Sequence, residues 1–352
     1  MVGQLAPARL DPATANRDLW NRFHELRRMR CKESRPDDPV QPDDVVESRM
    51  KRGNPFEFQH YYEISQNGMM LSSLYAETVT PSSPEYSTNK HLFWIDGYVR
   101  PDSRRRHIAA LWLPVVAGLM DRHGCTVVGM STDEESGHAF LGWLGAERKL
   151  TEIESRLRLS EVDWPMLERW TQEGAQRSVQ TRLEIYDGRL PDAMLRDFAP
   201  QLTALLNTMP LESLDIGTIV VTPERIKDSY ERQALSGEVM HTVLTREPEG
   251  LISGMTDISW APYRHSLLYQ QFTGVRPDAR GRGLGKWIKA AMLLHISETY
   301  PGAQWVVTDN AHSNGPMLTI NRAIGFRPYR TMVEYQMTRQ QLESRIRSLQ
   351  DC

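Results

Sequence analysis

The chain has 352 residues, of which 40% are hydrophobic and 25% charged, and its formal net charge is -3 at pH 7. This is the composition of an ordinary globular protein long enough for two domains, and the small charge excludes a whole-chain electrostatic case for nucleic acid or anionic membrane. No apolar run reaches the length of a membrane span or a signal peptide, so we expect a cytoplasmic protein.

The cysteines and histidines predict neither a disulfide framework nor a metal site. The three cysteines, Cys31, Cys125 and Cys352, are far apart and odd in number, which is typical of reduced thiols. The ten histidines show no metal-ligand spacing. His295 lies among apolar residues of a predicted helix, and we interpret it as a packed histidine. We therefore expect no metal.

The first half of the chain predicts a helix, a hairpin and further strands. Apolar residues recur on one face of an amphipathic helix over 11–30, and a loop rich in Pro and Asp follows. The pair Asn67-Gly68 predicts a tight hairpin turn, because both residue types tolerate positive φ. We expect strands over 56–65, 68–79, 91–99 and 125–131, with a helix over 107–122.

The second half predicts similar elements in the same order. Thr222 and Pro223 are a typical N-cap and first residue of a helix. The expected strands cover 181–188, 238–245, 250–260, 266–275, 304–309 and 332–337, and the expected helices cover 190–209, 222–235, 284–297 and a segment that ends before Gly325. The stretch 162–178 belongs to neither half, so we expect a linker between domains 1–161 and 179–352.

One loop occurs twice, 176 residues apart, which is half the length of the chain. "VRPDSRRRHIAA" begins at Val99 and "VRPDARGRGLGK" begins at Val275, and six of the first eight positions match. Such long-period similarity predicts a duplication. Two copies are too few for a solenoid, so the repeat predicts two similar α/β domains in tandem.

The glycine-rich copy of this loop predicts a binding site for a pyrophosphate. It lies between a strand and a helix, and a helix N-terminus presents free backbone N–H groups to an anion. Glycines have no Cβ to hold the phosphate away, and Arg280 and Arg282 add positive charge. It is not a Walker loop, because Trp287 follows Lys286, and its glycine spacing does not fit a Rossmann fingerprint.

Two motifs of the second half resemble motifs of the GNAT-type N-acetyltransferases. R-x-x-G-x-G, which begins at Arg280 directly after a strand, resembles motif A of that family. "SNGPMLTINRAIGF", which begins at Ser313, resembles the family's next motif. The resemblance is good over about 178–340 and weak over 1–160. It implies an α/β (α+β) fold of two tandem domains, each with a mixed, mostly antiparallel sheet, helices on both faces and a splayed pair of parallel strands.

The resemblance also implies that acetyl-coenzyme A is the co-substrate. In that family it lies in the gap between the two splayed strands, here 267–275 and 304–309. The implied contacts are the end of the first strand, the loop and the start of the last helix, namely Thr273, Gly274, Val275, Arg280, Gly281, Arg282, Gly283, Leu284, Gly285 and Asn314.

The first copy of the loop departs from the family pattern. His107 replaces Gly283, Ala109 replaces Gly285, and nothing corresponds to Asn314. We expect the Cβ and ring of His107 to crowd the site where a phosphate touches an amide. The first domain is therefore expected to keep the fold and to have lost cofactor binding. In the alternative interpretation, the three arginines before His107 still bind a phosphate.

Acetyl transfer to an amine needs a base and a donor for the developing oxyanion. The candidate bases are Asp257 and Asp309, on strands that border the gap, and Glu238 is a further carboxylate nearby. A backbone N–H near Phe272 or Thr273 is the expected oxyanion donor.

The sequence departs from the family at the residue that is expected to protonate the leaving thiolate. The usual acid is a Tyr, and Asn321 stands in its place. Tyr329 or Tyr335 is then the candidate substitute. We expect Tyr263, His265, Tyr269 and Gln271 to line the acceptor pocket.

Together these observations predict an acyl-coenzyme A-dependent N-acyltransferase that moves an acetyl group from acetyl-CoA to the primary amine of a small molecule, with the second domain active. One alternative is a mycothiol-synthase-like enzyme that acetylates an amino-sugar conjugate. Another is a non-catalytic acyl-CoA-binding protein. We expect a monomer or homodimer whose partner is a small-molecule amine, with no nucleic acid and no membrane.

Overall fold

A computed structural model describes residues 5–350 of the chain. They divide into two compact units. Of the described residues, unit 1 contains those up to Leu150, the short segment Ser213–Thr218 and those from Val333 onward. Unit 2 contains Thr151–Glu212 and Ile219–Met332. Neither unit is a continuous stretch of sequence.

The first half of the sequence forms six strands and five helices among the described residues. In chain order these are β1 (Ala8–Arg9), α1 (Arg17–Ser34), α2 (Asp43–Arg52), β2 (Glu57–Gln66), β3 (Met69–Val79), α3 (Tyr86–Asn89), β4 (Leu92–Val99), α4 (Trp112–His123), β5 (Val127–Thr132), α5 (Glu135–Leu144) and β6 (Glu147–Arg158). Short 3-10 turns at Pro101–Ser103 and Ile108–Leu111 lie between β4 and α4.

The second half of the sequence has a comparable set of elements. In chain order they are α6 (Trp164–Arg177), β7 (Arg182–Asp187), α7 (Asp192–Leu206), α8 (Pro223–Ala234), β8 (Val239–Arg246), β9 (Ile252–Trp260), β10 (Leu267–Val275), α9 (Leu284–Thr299), β11 (Trp305–Ala311), α10 (Gly315–Ile324), β12 (Arg327–Thr338) and α11 (Arg339–Gln350). A 3-10 turn at Pro277–Ala279 lies between β10 and α9.

The local signals for turns and caps are confirmed. Asn67 and Gly68 turn the β2–β3 hairpin with φ of 51° and 76°, as a tight turn requires. The Thr222 side chain accepts from the N–H of Arg225 and caps α8. The first helix begins later than the predicted residue 11, because Asn16 caps α1. Helix α2 was not predicted.

Each unit contains a mixed sheet with one parallel pair. The strand order is β1-β2-β3-β4-β5-β12 in unit 1 and β7-β8-β9-β10-β11-β6 in unit 2. β4 and β5 are parallel, and so are β10 and β11, while the other neighbours within each unit are antiparallel. The predicted fold class is confirmed in both units.

The two halves of the sequence exchange their last strands. Residues 152–158 of β6, from the first half, pair with β11 in unit 2. Residues 333–338 of β12, from the second half, pair with β5 in unit 1. The segment Ser213–Thr218 also belongs to unit 1, where Gly217 donates to the Asn89 side chain. The units therefore do not coincide with the expected domains 1–161 and 179–352.

The stretch 162–178, expected to be a linker, is mostly helix. Asp163 caps α6, and Leu167 is buried in the core of unit 2. A Cβ at Gly174 would lie 2.4 Å from the Trp287 side chain on α9, so α6 packs directly on the helix that follows the glycine loop. Close packing of this kind requires glycine at 174. The segment is part of unit 2 and does not act as a spacer.

Helices cover both faces of the sheet in unit 2. One core cluster contains Leu268 of β10 together with Ile288 and Met292 of α9. The other contains Phe272 of β10 together with residues of α7 and α8. We refer to the two faces as the α9 face and the α7/α8 face. Within residues 5–350, no helix combines the length and apolar character needed to cross a membrane.

The strand exchange predicts reciprocal effects of two core substitutions. Leu157 of β6 is buried in the core of unit 2, and Met337 of β12 is buried in the core of unit 1. We expect Leu157→Ala and Met337→Ala each to cost about 2–5 kcal/mol. Hydrogen exchange followed by mass spectrometry is expected to show faster exchange in β10 and β11 for Leu157→Ala, and in β4 and β5 for Met337→Ala. Faster exchange confined to the half of the sequence that carries the substitution would contradict the strand exchange.

Candidate active site

The two parallel strands of unit 2 separate in the middle of β10. Four residue pairs join β10 to β11, ending with Gln270 and Thr308. Beyond them, β11 pairs with β6 and β10 pairs with β9. The pairing of β10 with β9 shifts between Gln270 and Thr273. This shift is a β-bulge, and it bends β10 away from β11. The predicted gap between splayed strands is present.

The glycine loop follows the free end of β10. Val275 is the last residue of β10, and α9 begins at Leu284 with Gly283 as its N-cap. The first N–H groups of a helix have no partner within the helix, so the N-terminus of α9 presents unpaired donors and the positive end of the helix dipole. The sequence predicted this arrangement of strand, loop and helix.

The glycines of the loop serve two different purposes. Gly281 and Gly283 have φ of 80° and 84°, in the left-handed region. A Cβ at Gly281 would meet nothing within 4 Å, so this part of the loop is open. Gly285 packs closely instead, since a Cβ there would lie 3.2 Å from the Ile320 side chain on α10.

The two arginines of the loop differ in their surroundings. Arg282 is held by Glu247, at 2.9 Å, and by the Thr181 hydroxyl, at 2.6 Å. The exposed Arg280 donates from Nε to the carbonyl of Val275, and no carboxylate within residues 5–350 pairs with it. Arg280 therefore supplies the free positive charge of the loop, and Arg282 fixes the position of the loop through its bonds to Glu247 and Thr181.

Up to position 107, the first copy of the loop follows the same backbone conformation as the second. Arg105 and His107 have φ of 61° and 58°, like the glycines they replace. Arg104 donates to the carbonyl of Val99, as Arg280 does to that of Val275. The loss of glycine therefore has not changed the path of the loop. The left-handed conformation costs a residue with a Cβ about 1–2 kcal/mol.

Charge and the start of the following helix distinguish the first loop. A 3-10 turn, Ile108–Leu111, follows His107, whereas α9 begins directly after Gly283. Arg104 forms two hydrogen bonds, of 2.7 and 2.8 Å, with Glu33 of α1. Tyr98 also donates to Glu33, at 2.7 Å. Burial acts to raise the pKa of Glu33, but the bonds from Arg104 and Tyr98 outweigh it and lower that pKa. A carboxylate of the chain itself thus already neutralises the arginine that an anion would need.

Asp257 lies opposite the bulge of β10. Its neighbours in the chain pair with Gln270 and Thr273, so Asp257 alone lies opposite the two bulge residues, Gln271 and Phe272. The Thr242 hydroxyl donates to Asp257, at 2.7 Å, and burial raises the pKa of Asp257 to about 7. Burial and the charge of Asp257 also raise the pKa of Tyr230 on α8. Asp257 is therefore on the α7/α8 face.

Asp309 lies on the same face as Asp257, and Tyr329 is partly exposed. Leu268 and Val306 are a pair on the α9 face, so by alternation Asp309 is on the α7/α8 face. Asp309 is exposed and adjoins Glu152, whose pKa is raised by burial and by the charges of Asp309 and Glu212. Tyr329 is 41% exposed and lies under the Arg156 guanidinium, 3.6 Å from the ring centre.

Three of the four predicted acceptor-pocket residues surround one buried arginine that was not predicted. Arg264 lies 4.8 Å from the ring centre of Tyr269 and 5.9 Å from that of Tyr263. It also binds the Ser259 hydroxyl, to which Gln271 donates. The fourth, His265, is exposed.

The candidate carboxylate Glu238 forms an ion pair with the buried Arg264. Its carboxylate accepts from Arg264 at 2.7 Å. Because that ion pair compensates the charge of a buried guanidinium, we assign Glu238 a structural role.

Asn321, in place of the family's acid, is buried beside the gap. Its Nδ2 donates to Asn310 of β11 at 2.6 Å, and its Oδ1 is buried with no hydrogen-bond partner in the described chain. A buried acceptor without a partner costs about 1–3 kcal/mol, so a donor from a bound molecule would satisfy it. Asn314 caps α10 through its Oδ1. Tyr335 lies in the core of unit 1, bonded to His138 and Arg148.

A buried polar chain links α9 to the bulge, and sequence reasoning missed it. Lys289 is 1% exposed and donates to Gln270. Gln270 donates to the Thr256 hydroxyl, which contacts the Thr273 hydroxyl at 2.7 Å. Burial lowers the pKa of Lys289 to about 7. The sequence signal for this buried lysine was its position inside a run of apolar residues. Helix α9 is buried on nearly all sides.

Comparison with solved structures identifies the fold. A tandem GNAT protein from the clavulanic acid biosynthesis pathway is 19% identical and superposes with a TM-score of 0.71 over 96% of this chain and 99% of that chain. A GCN5-related N-acetyltransferase from Sphaerobacter thermophilus is 14% identical, with a TM-score of 0.64 over 95% of this chain and 96% of that chain.

A third similar structure belongs to part of a larger protein. It is the GCN5-related glucosamine N-acetyltransferase region of a fungal multi-domain beta-N-acetylglucosaminidase, 12% identical, with a TM-score of 0.64 over 95% of this chain and 38% of that chain. No protein-family model and no curated protein matches the sequence. The chain has the tandem GNAT fold that its two motifs predicted.

The buried lysine predicts an unusual dependence of stability on pH. The unfolded chain keeps the Lys289 proton up to about pH 10.5, whereas the folded chain releases it near pH 7. Stability should therefore rise between these values by about 1.4 kcal/mol per pH unit. We expect Lys289→Met to be more stable than the wild type at pH 7, by on the order of 5 kcal/mol at most. Urea unfolding of both proteins at several pH values measures the difference, and parallel curves would contradict a neutral Lys289.

Proposed function

We propose that this tandem GNAT protein is an acyl-coenzyme A-dependent N-acyltransferase that acetylates the primary amine of a small molecule, and that unit 2 carries the site. Acetyl-CoA is the proposed co-substrate, and it supplies a thioester from which the acetyl group is transferred. The proposal also takes the protein to act in the cytoplasm. The observation that carries it is the placement of Asp257 opposite the bulge of a splayed strand that leads into a glycine loop.

The residues around the gap fit the proposed co-substrate. The open loop at Gly281 and Gly283, the start of α9 and the free charge of Arg280 suit a pyrophosphate. The buried Oδ1 of Asn321 has no donor within the described chain, and the amide or thiol groups of a pantetheine arm are donors. The free end of β10, at Thr273 to Val275, offers backbone groups along the gap.

Asp257 is the proposed general base. A base works best when its pKa lies near the working pH, and burial brings the pKa of Asp257 to about 7. Its place opposite the bulge puts it at the level where β10 leaves β11. Asp309 is on the same face but exposed, across the gap on β11. Of the two carboxylates, Asp257 has the environment of a base and Asp309 that of a surface group.

The bulge and Asn321 have roles in the transition state. A bulge leaves one residue of the strand outside the ladder, so we expect an N–H at Gln271 or Phe272 to stabilise the developing oxyanion. The Thr256 hydroxyl donates to the carbonyl of Phe272 at 3.1 Å and holds the bulge in place. Asn321 does not titrate and therefore orients groups without donating a proton. A thiol with a pKa of about 8.5 leaves readily near neutral pH.

Unit 1 is proposed to keep the fold without binding the co-substrate. The Glu33 carboxylate forms an ion pair with Arg104 of the first loop. The side chain of Tyr98 stands at the position that corresponds to Gly274 in the loop alignment, and it is buried. Both features act against an anionic ligand. The ion pair adds to the argument from His107, whose ring stands where Gly283 leaves the backbone amides of the second loop uncovered.

One acetyl-CoA per chain is the first expected result. In calorimetric titration the wild type should bind one acetyl-CoA, and Gly283→His should bind none. A histidine already adopts the left-handed conformation at position 107, so Gly283→His should keep the loop path while its ring blocks the amides. The matched control is His107→Gly, for which we expect unchanged binding of one molecule. Two molecules per wild-type chain, or unchanged binding by Gly283→His, would contradict the proposed site.

Loss of the acid limb of the pH–rate profile is the test for Asp257. We expect kcat/KM of the wild type to fall below about pH 7, where Asp257 becomes protonated. Asp257→Asn should lower kcat/KM roughly a hundredfold or more and remove the Asp257 limb, while Asp309→Asn should keep it. The same amine is used throughout, so that its own titration cancels. If acetyl-CoA binds but none of the amines causes release of its thiol, the non-catalytic alternative is correct.

A further inference from the structure

Three side chains of types that can bind a metal ion lie together near the C-terminal end of α9. Asp187 is the last residue of β7, His241 lies opposite it on β8, and His295 belongs to the last part of α9. One oxygen of Asp187 lies 2.6 Å from Nδ1 of His241 and 2.6 Å from Nε2 of His295. The ligand atoms of all three residues lie within 4.8 Å of one another.

We propose that Asp187, His241 and His295 bind a divalent transition-metal ion, with Zn²⁺ as the ion that best fits the donors. Two imidazoles and one carboxylate are a donor set that zinc commonly takes. The three residues come from three elements of unit 2, so the site exists only in the folded chain. One ion would tie the end of β7 to β8 and to α9.

The surroundings of His241 suit a metal ligand. His241 is 2% exposed, and its other nitrogen, Nε2, lies 2.7 Å from the Tyr300 hydroxyl. Tyr300 is itself fixed by stacking on Trp260, with ring centres 4.7 Å apart. A ligating histidine usually bonds an outer partner in this way, which fixes its ring and leaves the first nitrogen free for the ion. Tyr300 is a positioning residue in this site.

An outward movement of the Asp187 side chain makes room for the ion. Metal–ligand bonds of about 2.0–2.2 Å hold neighbouring ligand atoms more than 3 Å apart, which is wider than the 2.6 Å contacts made by Asp187. The Asp187 side chain is 59% exposed, so it is free to swing outward. Exposure on that side also leaves a path for the ion and for a water as fourth ligand.

The site lies on the α9 face, opposite the face of Asp257, and is also far from the glycine loop. His295 is 11 positions after Leu284, the first residue of α9, which corresponds to about 16 Å along a helix. The ion is therefore expected to stabilise the edge of unit 2 and to take no part in acetyl transfer. The inference does not depend on the proposed function.

Zinc titration of the chelator-treated full chain tests the site. We expect the wild type to bind one Zn²⁺ in calorimetry and to show a higher melting temperature with Zn²⁺. Asp187→Ala and His295→Ala should each lower the affinity at least tenfold and lose the melting shift. Tyr300→Phe should weaken binding by about tenfold or more. His312→Ala is the control for the loss of one exposed histidine, and we expect it to bind like the wild type.

Two readouts guard against misfolding and against binding elsewhere. Circular dichroism confirms that each variant is folded, and Asp187→Ala, at an exposed position, is the mildest of them. Cobalt added to the wild type should give visible absorption bands of a four-coordinate site, absent in Asp187→Ala. No zinc binding by the wild type, or one zinc bound equally by folded Asp187→Ala and His295→Ala, would overturn the proposal. The three side chains would then form a hydrogen-bonded cluster only.

Discussion

The pairing of β6 with β11 is the contact on which the gap in unit 2 depends. β10 turns away from β11 after Gln270 and Thr308, so residues 309–311 of β11 lose their partner on that side. Residues 152–154 of β6 pair with them on the other side. Without β6, the backbone groups of this stretch would be unpaired at both edges, which a folded chain avoids. A strand from the first half of the sequence thus allows the second half to hold its gap open.

The two copies of the loop show how a duplicated element keeps its shape while its charge changes. Arg105 and His107 tolerate the left-handed conformation at a cost of about 1–2 kcal/mol each, and the loop path stays the same. The difference lies in what faces the loop. Arg104 is neutralised by Glu33, whereas Arg280 has no carboxylate partner within residues 5–350. The two copies therefore differ in charge as well as in glycine content.

Ionisable groups with strongly perturbed pKa values lie on both sides of the sheet near the bulge. Asp257 is on the α7/α8 face and Lys289 is on the α9 face, and burial moves the pKa of each to about 7. Burying such groups costs stability, and groups of this kind are concentrated at functional sites. The bulge lies between them, held by Thr256 through its bond to the Phe272 carbonyl. Their position supports the assignment of the gap as the reaction site.

The sequence by itself determined the elements whose signals are local. Asn67-Gly68 predicted the hairpin, Thr222 predicted the cap of α8, and the repeated loop predicted two similar sheets. It also placed the glycine loop between a strand and a helix. These features depend on residues within a few positions of one another, so periodicity and turn chemistry are sufficient to find them.

Only the tertiary structure decided which distant residues meet. Strand exchange gave unit 2 a strand from the first half, and the expected linker became α6. Glu33 reached Arg104 from 71 residues away. Asp187 met His241 and His295 although each is 54 residues or more from the next. A linear pattern carries no record of such contacts, because they are set by strand pairing and by helix packing, which join segments without regard to their separation in the chain.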